Sequence, residues 1–393
     1  LQERVELLRR QLEDDRLTVR IAAERELVEI GPDALPFLDP VRSDVASETV
    51  DRLVRIRATL EAALAERIGQ PSRVVLDGSG TLTEVLQSIR NQSGNDFEPV
   101  ADPGRTVNFE RIELPYWEAI DRVLAEFPEW RIDLLRGGSK LRLQQVDEPP
   151  SRIPTTAAGP FRIEVLRVES ARDFSNQALD GLEVTVRVRW EPRLKPLSVL
   201  HELEELDVQC GDLKLRSRAG VPRTEAIVVG NPGWVDAIYL LDRPDRDSEL
   251  LQRLAGALTV TIPTPPVEFR FDELADARQV AQRTGSTVVT LERVDRRDGL
   301  DAVRIRVRFD DSAGSLESHR SWIFDSPAVL VDEAGGESRF FTYETTLRND
   351  DEVGIVYLFP TVADLTKVSF AYRVPSAILK VPVAFELDAI PLP

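Results

Sequence analysis

The chain has 393 residues, of which 42% are hydrophobic and 30% are charged. This composition is typical of a globular protein, and the length predicts two to four domains because a domain takes about 100–200 residues. The net charge of −18 is spread along the chain without a basic segment, which argues against nucleic acid and anionic membranes as partners. No apolar run approaches the roughly 20 residues of a membrane-spanning helix, so we expect no membrane span.

Residues 1–70 have the apolar spacing of paired helices. Ala23, Leu27 and Ile30 fall on one helical stripe, and Gly31 followed by Pro32 ends the predicted helix. The segment "VRIAAERELVEIGPDALPFL" resembles a HEAT-type helical repeat over about one and a half repeats. Since solenoids usually need three or more repeats, we expect this segment to pack on the next domain or to extend a partner's array.

The stretch "VVLDGSGTLTEVLQSI" (74–89) raises the question of a nucleotide site. Gly78 and Gly80 match the first two glycines of a dinucleotide fingerprint, but Thr83 stands at the third. No lysine is near enough to serve a phosphate-binding P-loop. Thr81 and Glu84 have the spacing of a capping box, so we expect the glycines to allow a turn from a strand into a helix.

A second strand and helix follow within residues 71–148. Val107, Phe109 and Ile112 alternate with a change of parity that predicts a strand with a bulge. Pro115 is suited to the first position of a helix, and Gly137-Gly138 predicts a hairpin between two apolar runs. The predicted element order is β-α-β-β-α-β-β.

This order, together with "VVLDGSGTLTEVLQSIRNQSG" and "VNFERIELPYWEAIDRVLAEF", resembles the short N-terminal domain of secretins and TonB-dependent receptors (STN). The resemblance implies a module for protein–protein contact in the bacterial envelope, hence a periplasmic or envelope location. The chain begins at Leu1 with no initiator Met and no signal peptide, so we expect either that a preceding segment was removed or that the sequence was trimmed. The candidate contact is an exposed strand edge that accepts a partner strand, with Val107, Phe109 and Arg111 as contact residues.

Residues 149–160 are rich in Pro, Thr and Ala and predict a linker. From residue 161 the apolar period becomes two, which predicts antiparallel strands. Val184 aligns with Val303, 119 residues later, within an internal duplication of about 115 residues. We therefore predict two tandem antiparallel β-sandwiches at 161–275 and 276–393, and a multidomain α+β fold for the whole chain.

The composite of helical repeat, STN-like module and duplicated β domain resembles multidomain envelope proteins of planctomycete-type bacteria. The segments "NDDEVGIVYLF" and "VPVAFELDAIPLP" carry this resemblance. The resemblance implies no activity of its own.

Catalytic and cofactor signals are weak in this sequence. His201 and His319 lie in different copies, and Cys210 is the single cysteine, so we expect no His/Cys ligand cluster and no cofactor. The nucleophile and zinc-protease patterns are missing from the sequence. We expect a protein that is not an enzyme, while a hydrolase with acids distant in sequence stays an alternative.

Two acidic clusters could in principle supply calcium with several oxygen ligands from one loop. They are Asp242, Asp245 and Asp247 in one cluster and Asp350, Asp351 and Glu352 in the other. Neither cluster fits an EF-hand, and solvated turn acids are the favoured interpretation.

Aromatic side chains offer a third kind of candidate site. Trp234 and Trp322 are candidate exposed rings that could contact a partner or a sugar, whereas Trp190 is expected in the core because it ends an alternating strand.

The favoured hypothesis is a non-enzymatic envelope protein that binds other proteins through its STN-like and β-sandwich domains. The partner is expected to be an envelope protein, a second copy of this chain included. The alternative is a carbohydrate- or calcium-binding module that acts through the sandwich loops.

Overall fold

A computed structural model describes residues 1–38, 41–42, 47–101, 104–147, 153–172, 180–297, 299–309, 322–349 and 351–393. The protein is a multidomain α+β chain in which strands predominate. It divides into two compact units. Unit 1 contains Leu1–Ala65 and Pro263–Leu379, and unit 2 contains Glu66–Ile262 and Lys380–Pro393.

Among the described residues, the α-helices are α1 (Gln2–Gln11), α2 (Leu17–Ile30), α3 (Ser47–Gly69), α4 (Leu82–Ser93) and α5 (Tyr116–Glu126). The strands are β1 (Val41–Arg42), β2 (Arg73–Thr81), β3 (Thr106–Pro115), β4 (Trp130–Ile132), β5 (Leu143–Gln145), β6 (Thr155–Ala158), β7 (Phe161–Ala171), β8 (Gly181–Trp190), β9 (Ser198–Glu202), β10 (Asp207–Cys210), β11 (Leu213–Leu215), β12 (Arg223–Ile227), β13 (Trp234–Leu241), β14 (Leu250–Pro263), β15 (Pro266–Phe271), β16 (Arg278–Thr284), β17 (Thr287–Arg297), β18 (Leu300–Phe309), β19 (Ala328–Asp332), β20 (Glu337–Arg339), β21 (Thr342–Arg348), β22 (Glu352–Pro360), β23 (Val368–Pro375) and β24 (Ile378–Pro391). Short 3-10 turns occupy Pro32–Phe37, Trp322–Asp325 and Leu365–Lys367.

Unit 1 begins with the helices that the apolar spacing predicts. Ala23 and Leu27 are buried on one face of α2, and the helix ends where Gly31 adopts a φ of 82°. The guanidinium of Arg57 is buried and donates to the carbonyl oxygens of Leu35 and Leu38. These bonds fasten α3 to the 3-10 turn, and the bond to Leu38 engages a carbonyl group at the end of the turn, where backbone acceptors lack partners within the turn.

The remainder of unit 1 is a pair of antiparallel sheets. One has the order β1-β16-β17-β18-β22-β21 and the other β15-β23-β19-β20. Their inner faces share one core, in which Phe269, Phe309, Tyr357 and Phe370 are fully or almost fully buried.

Unit 2 opens with the small α/β segment. The predicted capping box is present, because the Thr81 hydroxyl accepts from the Glu84 N–H and the Glu84 carboxylate accepts from the Thr81 N–H. The glycines do not form a turn: β2 continues through them to Thr81, and Gly78, with a φ of 76°, lies beside the bulge of the β2–β3 pair. Of the strand expected between α4 and β3, the described residues form a single bridge, from Phe97 to Leu141, and Pro99, which has no N–H, follows it closely.

The sheets of unit 2 repeat the arrangement of unit 1. One has the order β13-β8-β7-β6, which matches β22-β18-β17-β16, and the other joins β24 to β14 and β9, which matches β15-β23-β19. The register shift between Val165 and Arg167 in β7 recurs 126 residues later, between Leu291 and Arg293 in β17.

The strand pairing corrects the boundary that we drew at residue 275. We assigned β15 to the first sandwich and β24 to the second, but β15 pairs with β23 and β24 pairs with β14. The alternation of apolar residues tells which face of each strand is buried, but it does not tell which other strand pairs with it. The C-terminal strand therefore completes the sheet of unit 2, and its buried Phe385 and Leu387 join that core.

Gly137 shows how closely the β4–β5 hairpin approaches the loop before β13. A Cβ added at Gly137 would lie 2.0 Å from the Pro232 carbonyl oxygen, whereas one added at Gly138 would meet nothing within 4 Å. We expect Gly137→Ala to lower the free energy of unfolding by about 1–3 kcal/mol, as overpacking does. Gly138→Ala is the matched control and should change it by less than about 0.5 kcal/mol. Chemical denaturation checks both, and equal stability of the two variants would contradict the close approach.

Candidate functional site

The β3 strand is the edge that the sequence predicts as a contact surface. Within the described residues β3 pairs only with β2, and no other strand bonds to its outer side. The register shift opposite Asp77 confirms the predicted bulge. An open strand edge presents unpaired N–H and C=O groups to a partner strand.

The opposite edge of this sheet is closed by a side chain. The Gln92 side-chain oxygen accepts from the Val75 N–H at 2.8 Å, and its amide nitrogen donates to the Val75 carbonyl at 3.0 Å. The amide thus takes the place of a neighbouring strand at this position of β2. In an antiparallel pair, two residues that lie directly opposite each other point their backbone groups either both toward each other or both outward. Val75 points outward and lies opposite Glu113. Glu113 therefore turns its N–H and C=O toward the outer side of β3.

The three predicted contact residues have different surroundings. Arg111 is exposed and pairs with Asp77 across the sheet at 3.2 Å. Val107 is half-buried against the small core, and Phe109 is buried within that core. Of the three side chains, only Arg111 is well placed to touch a partner directly.

Ile112 and Glu113 are the residues that sequence reasoning missed. Ile112 lies opposite the buried Leu76, on the same face of the sheet, yet 42% of its surface is exposed. A strand added to β3 would cover it. The sequence could have identified them through the bulge. The bulge changes the parity of the strand, so Ile112 and Glu113 do not follow the alternation set by Val107 and Phe109.

A buried carboxylate, that of Glu191, joins the small α/β segment to the sheets of unit 2. Its side chain has no exposed surface, and it accepts from the Ser72 N–H at 2.8 Å and the Ser72 hydroxyl at 2.5 Å. Asn95 donates to it at 3.0 Å, and Arg193 donates at 2.6 Å. Every one of these donors would be left without its acceptor if the carboxylate were removed.

Tyr116 belongs to the same buried region. Its hydroxyl is buried and makes no hydrogen bond with a described residue. Burial, and secondarily the negative charge of Glu191, raises the pKa of this phenol well above its usual value. The phenol is therefore neutral at ordinary pH and acts as a packing group.

We expect Glu191→Gln to lower the free energy of unfolding of the chain by about 3–5 kcal/mol, because it leaves the Arg193 charge and the Ser72 donors without a carboxylate. Chemical denaturation measures the loss. Glu169→Gln is the control, since Glu169 is half-exposed and pairs with Arg167 at 3.4 Å, and its effect should stay within about 0.5 kcal/mol. Two indistinguishable denaturation midpoints would contradict the role given to Glu191.

His201 is a structural histidine inside the core of unit 2. It is 1% exposed, and its Nδ1 lies 2.8 Å from the Tyr239 hydroxyl. Burial lowers the pKa of the imidazole from 6.5 to about 4 and raises the pKa of the Tyr239 phenol. His319 lies outside the described residues.

The pKa of His201 predicts a loss of stability in mild acid. Below pH 6.5 the unfolded chain binds a proton at this imidazole, and the folded chain does so only near pH 4, so folding weakens as the pH falls through this window. Between pH 7 and pH 5 this one residue should cost about 2 kcal/mol of the free energy of unfolding. His201→Gln should remove that part of the pH dependence in denaturation measured at the two pH values. An unchanged dependence would show that the proton binds elsewhere.

The acidic clusters do not come together as a metal site. Within the described part of the chain, no three side chains of His, Cys, Asp or Glu are grouped so as to hold a metal ion. Asp350 lies outside the described residues, the backbone oxygen of Asp351 accepts from the Phe309 N–H, and Glu352 lies 3.7 Å from Arg306.

In the other cluster, the Asp242 carboxylate accepts from the Arg216 N–H at 3.2 Å, and the Asp245 backbone oxygen accepts from the Ser248 N–H at 3.1 Å. Asp247 makes none of these turn contacts.

Trp190 lies in the core, and Trp234, which we expected to be exposed, is half-buried. Trp190 is 2% exposed, as expected for a core residue. The guanidinium of Arg187 stacks on the Trp234 ring, 3.4 Å from its centre, and binds Asp236 through two bonds of 2.7 and 2.8 Å. One face of the candidate sugar platform is therefore covered. Trp322 begins a 3-10 turn, and its side chain lies outside what the structure describes.

Comparison with known proteins leaves the family open. No family model matches the chain, and no curated protein matches it. A crystal structure of a conserved domain protein from Bacillus anthracis is similar over 60% of this chain and 89% of that chain, at 9% identity and a TM-score of 0.18, which is too low to support any conclusion. None of the helices in the described ranges is long and apolar enough to cross a membrane.

Proposed function

We propose that this chain is a non-enzymatic interaction protein of the bacterial cell envelope and that a partner protein adds a strand to β3. The observation that carries the proposal is the difference between the two edges of one sheet. Gln92 occupies the β2 edge at Val75, whereas the outer side of β3 pairs with no described strand. Proteins commonly protect strand edges that have no use, so an edge left open beside a protected one is a candidate docking site.

The residues along the edge suit strand addition. The backbone groups of Glu113 supply a donor and an acceptor on the outer side, and the exposed Ile112 supplies apolar surface for the partner to cover. Arg111 and Glu110 are exposed beside them and can add charge selectivity. Main-chain bonds of this kind give affinity, while the flanking side chains select the partner.

The envelope location and the kinship of residues 71–148 with secretin/TonB short N-terminal domains are part of the proposal. They rest on the order of elements, β2-α4-β3-α5-β4-β5, together with the segments that carry the resemblance. In that family the module makes contacts between proteins, which agrees with an open edge on β3. The HEAT-like helices of residues 1–70 and the duplicated β domains would then present the module to its partner.

A photo-crosslinking residue placed at Ile112 tests the proposal in the full chain. In an envelope extract of the source bacterium, we expect a discrete crosslinked protein from position 112 and none from Gln87, an exposed position on α4. A product of twice the chain mass would identify a second copy as the partner. Glu113→Pro removes the outward N–H and should reduce the product at least about tenfold, since proline cannot donate. Glu113→Ala keeps the N–H and should leave the yield unchanged.

Thermal melting separates loss of the edge from loss of the fold. Glu113→Pro is expected to melt within a few degrees of Glu113→Ala, because proline is tolerated on the open side of an edge strand. A product that persists in Glu113→Pro, or that forms equally from position 87, would refute strand addition at β3.

A further inference from the structure

A second open edge borders a cleft of about 800 Å³ in unit 2. Thr155, Thr156 and Ala157 of β6 form one wall, and Glu118, Leu124 and their neighbours on α5 form another. A volume of this size lies within the range of about 300–1,000 Å³ that is usual for binding clefts. Residues of β4 and β7, among them Ile132 and Arg162, complete the lining. A strand and a helix on two sides leave room for an extended peptide along β6.

The backbone of β6 has hydrogen-bonding groups on its side away from β7, and the same residues line this cleft. The Pro154 carbonyl accepts from the Val165 N–H, and Ala158 faces Phe161 across a hairpin of two residues. Positions 154 and 158 therefore bond toward β7. In an antiparallel pair this direction alternates, so Thr155 and Ala157 turn their N–H and C=O groups away from β7. No described strand pairs with that side of β6.

The equivalent sheet of unit 1 shows that a strand can pair with the edge that corresponds to β6. Phe161 and Thr287, 126 residues apart, begin the equivalent strands β7 and β17. Through these strands, Ala157 corresponds to Arg283 and Thr156 to Gln282.

In unit 1 the corresponding edge is occupied, since β1 pairs antiparallel with Arg283 and Gln282. The same edge of the same sheet thus carries an added strand in one copy and faces a cleft in the other.

We infer that the cleft between α5 and β6 binds an extended segment of another protein, which adds antiparallel to Thr155–Ala157 as β1 adds to β16. The inference is independent of strand addition at β3, because it rests on another strand and on the internal repeat. In a bound strand alternate side chains point to opposite sides, so one set would meet the apolar lining that includes Leu124 and Ile132.

The charges around the cleft favour a basic segment. Arg162 is already held by Asp121, at 2.8 Å to each oxygen, and by Glu164 at 2.9 Å. Glu118 is exposed, and Arg131 also lines the cleft, so three carboxylates (Glu118, Asp121 and Glu164) and two guanidinium groups (Arg131 and Arg162) give it a formal charge of −1. A second copy of this chain, with its net charge of −18, is therefore a poorer occupant than a segment that alternates apolar and basic residues.

A labelled hexapeptide of alternating valine and arginine, blocked at both ends, is a suitable probe of the full chain. We expect fluorescence anisotropy to show saturable binding. The same peptide N-methylated at alternate residues keeps its charge but loses the backbone donors along one edge, and should bind at least about tenfold more weakly. A valine–glutamate peptide should bind more weakly still.

Variants of the chain locate the binding. Ala157→Pro removes an N–H that points away from β7 and should weaken binding about tenfold, while Ala157→Val keeps that N–H and should retain binding. Glu118→Lys should weaken binding of the valine–arginine peptide and strengthen binding of the valine–glutamate peptide. Glu113→Pro, which tests β3, should leave this binding unchanged. If Ala157→Pro fails to fold, the N-methylated peptide still decides the matter with the unaltered chain.

Three results would overturn the inference. They are the absence of saturable binding, equal affinity for the N-methylated peptide, and unchanged affinity of a folded Ala157→Pro. The second would identify mere electrostatic adsorption to an acidic protein.

Discussion

The carboxylate of Glu191 is the interaction on which the architecture of unit 2 depends. It follows the last residue of β8 and accepts from groups on Ser72 and Asn95, which lie 119 and 96 residues earlier in the chain. A buried carboxylate is tolerated only where donors surround it, and Arg193 supplies the compensating charge. The small α/β segment is therefore anchored to the sheet by a contact that requires a fixed orientation.

That anchoring is what gives the cleft its fixed walls. Arg162 of β7 binds Asp121 of α5, and the Trp117 indole N–H donates to the Pro160 carbonyl at 3.0 Å. These bonds hold α5 beside the hairpin of β6 and β7. A groove with fixed walls loses less conformational entropy when a peptide binds than one that must first be assembled.

Strand edges link the two proposals. Proteins commonly protect the edges of antiparallel sheets, and this chain closes the β2 edge with the Gln92 amide and covers the β16 edge with β1. The outer sides of β3 and β6 are two of the sheet edges that no described strand covers. Both suit recognition through main-chain hydrogen bonds, which requires geometry rather than reactive side chains.

The sequence by itself determined the features that neighbouring residues decide: the Thr81–Glu84 capping box, the end of α2 at Gly31, the bulge in β3, and the alternation of the strands. Only the tertiary structure decided which strands pair, so that β15 and β24 fall in sheets other than those we assigned. It also decided that Phe109 is buried while Ile112 is exposed, and that Glu191 meets Ser72. Periodicity assigns a side chain to a face, but the neighbour of that face comes from a distant part of the chain, whose position depends on the packing of the whole unit.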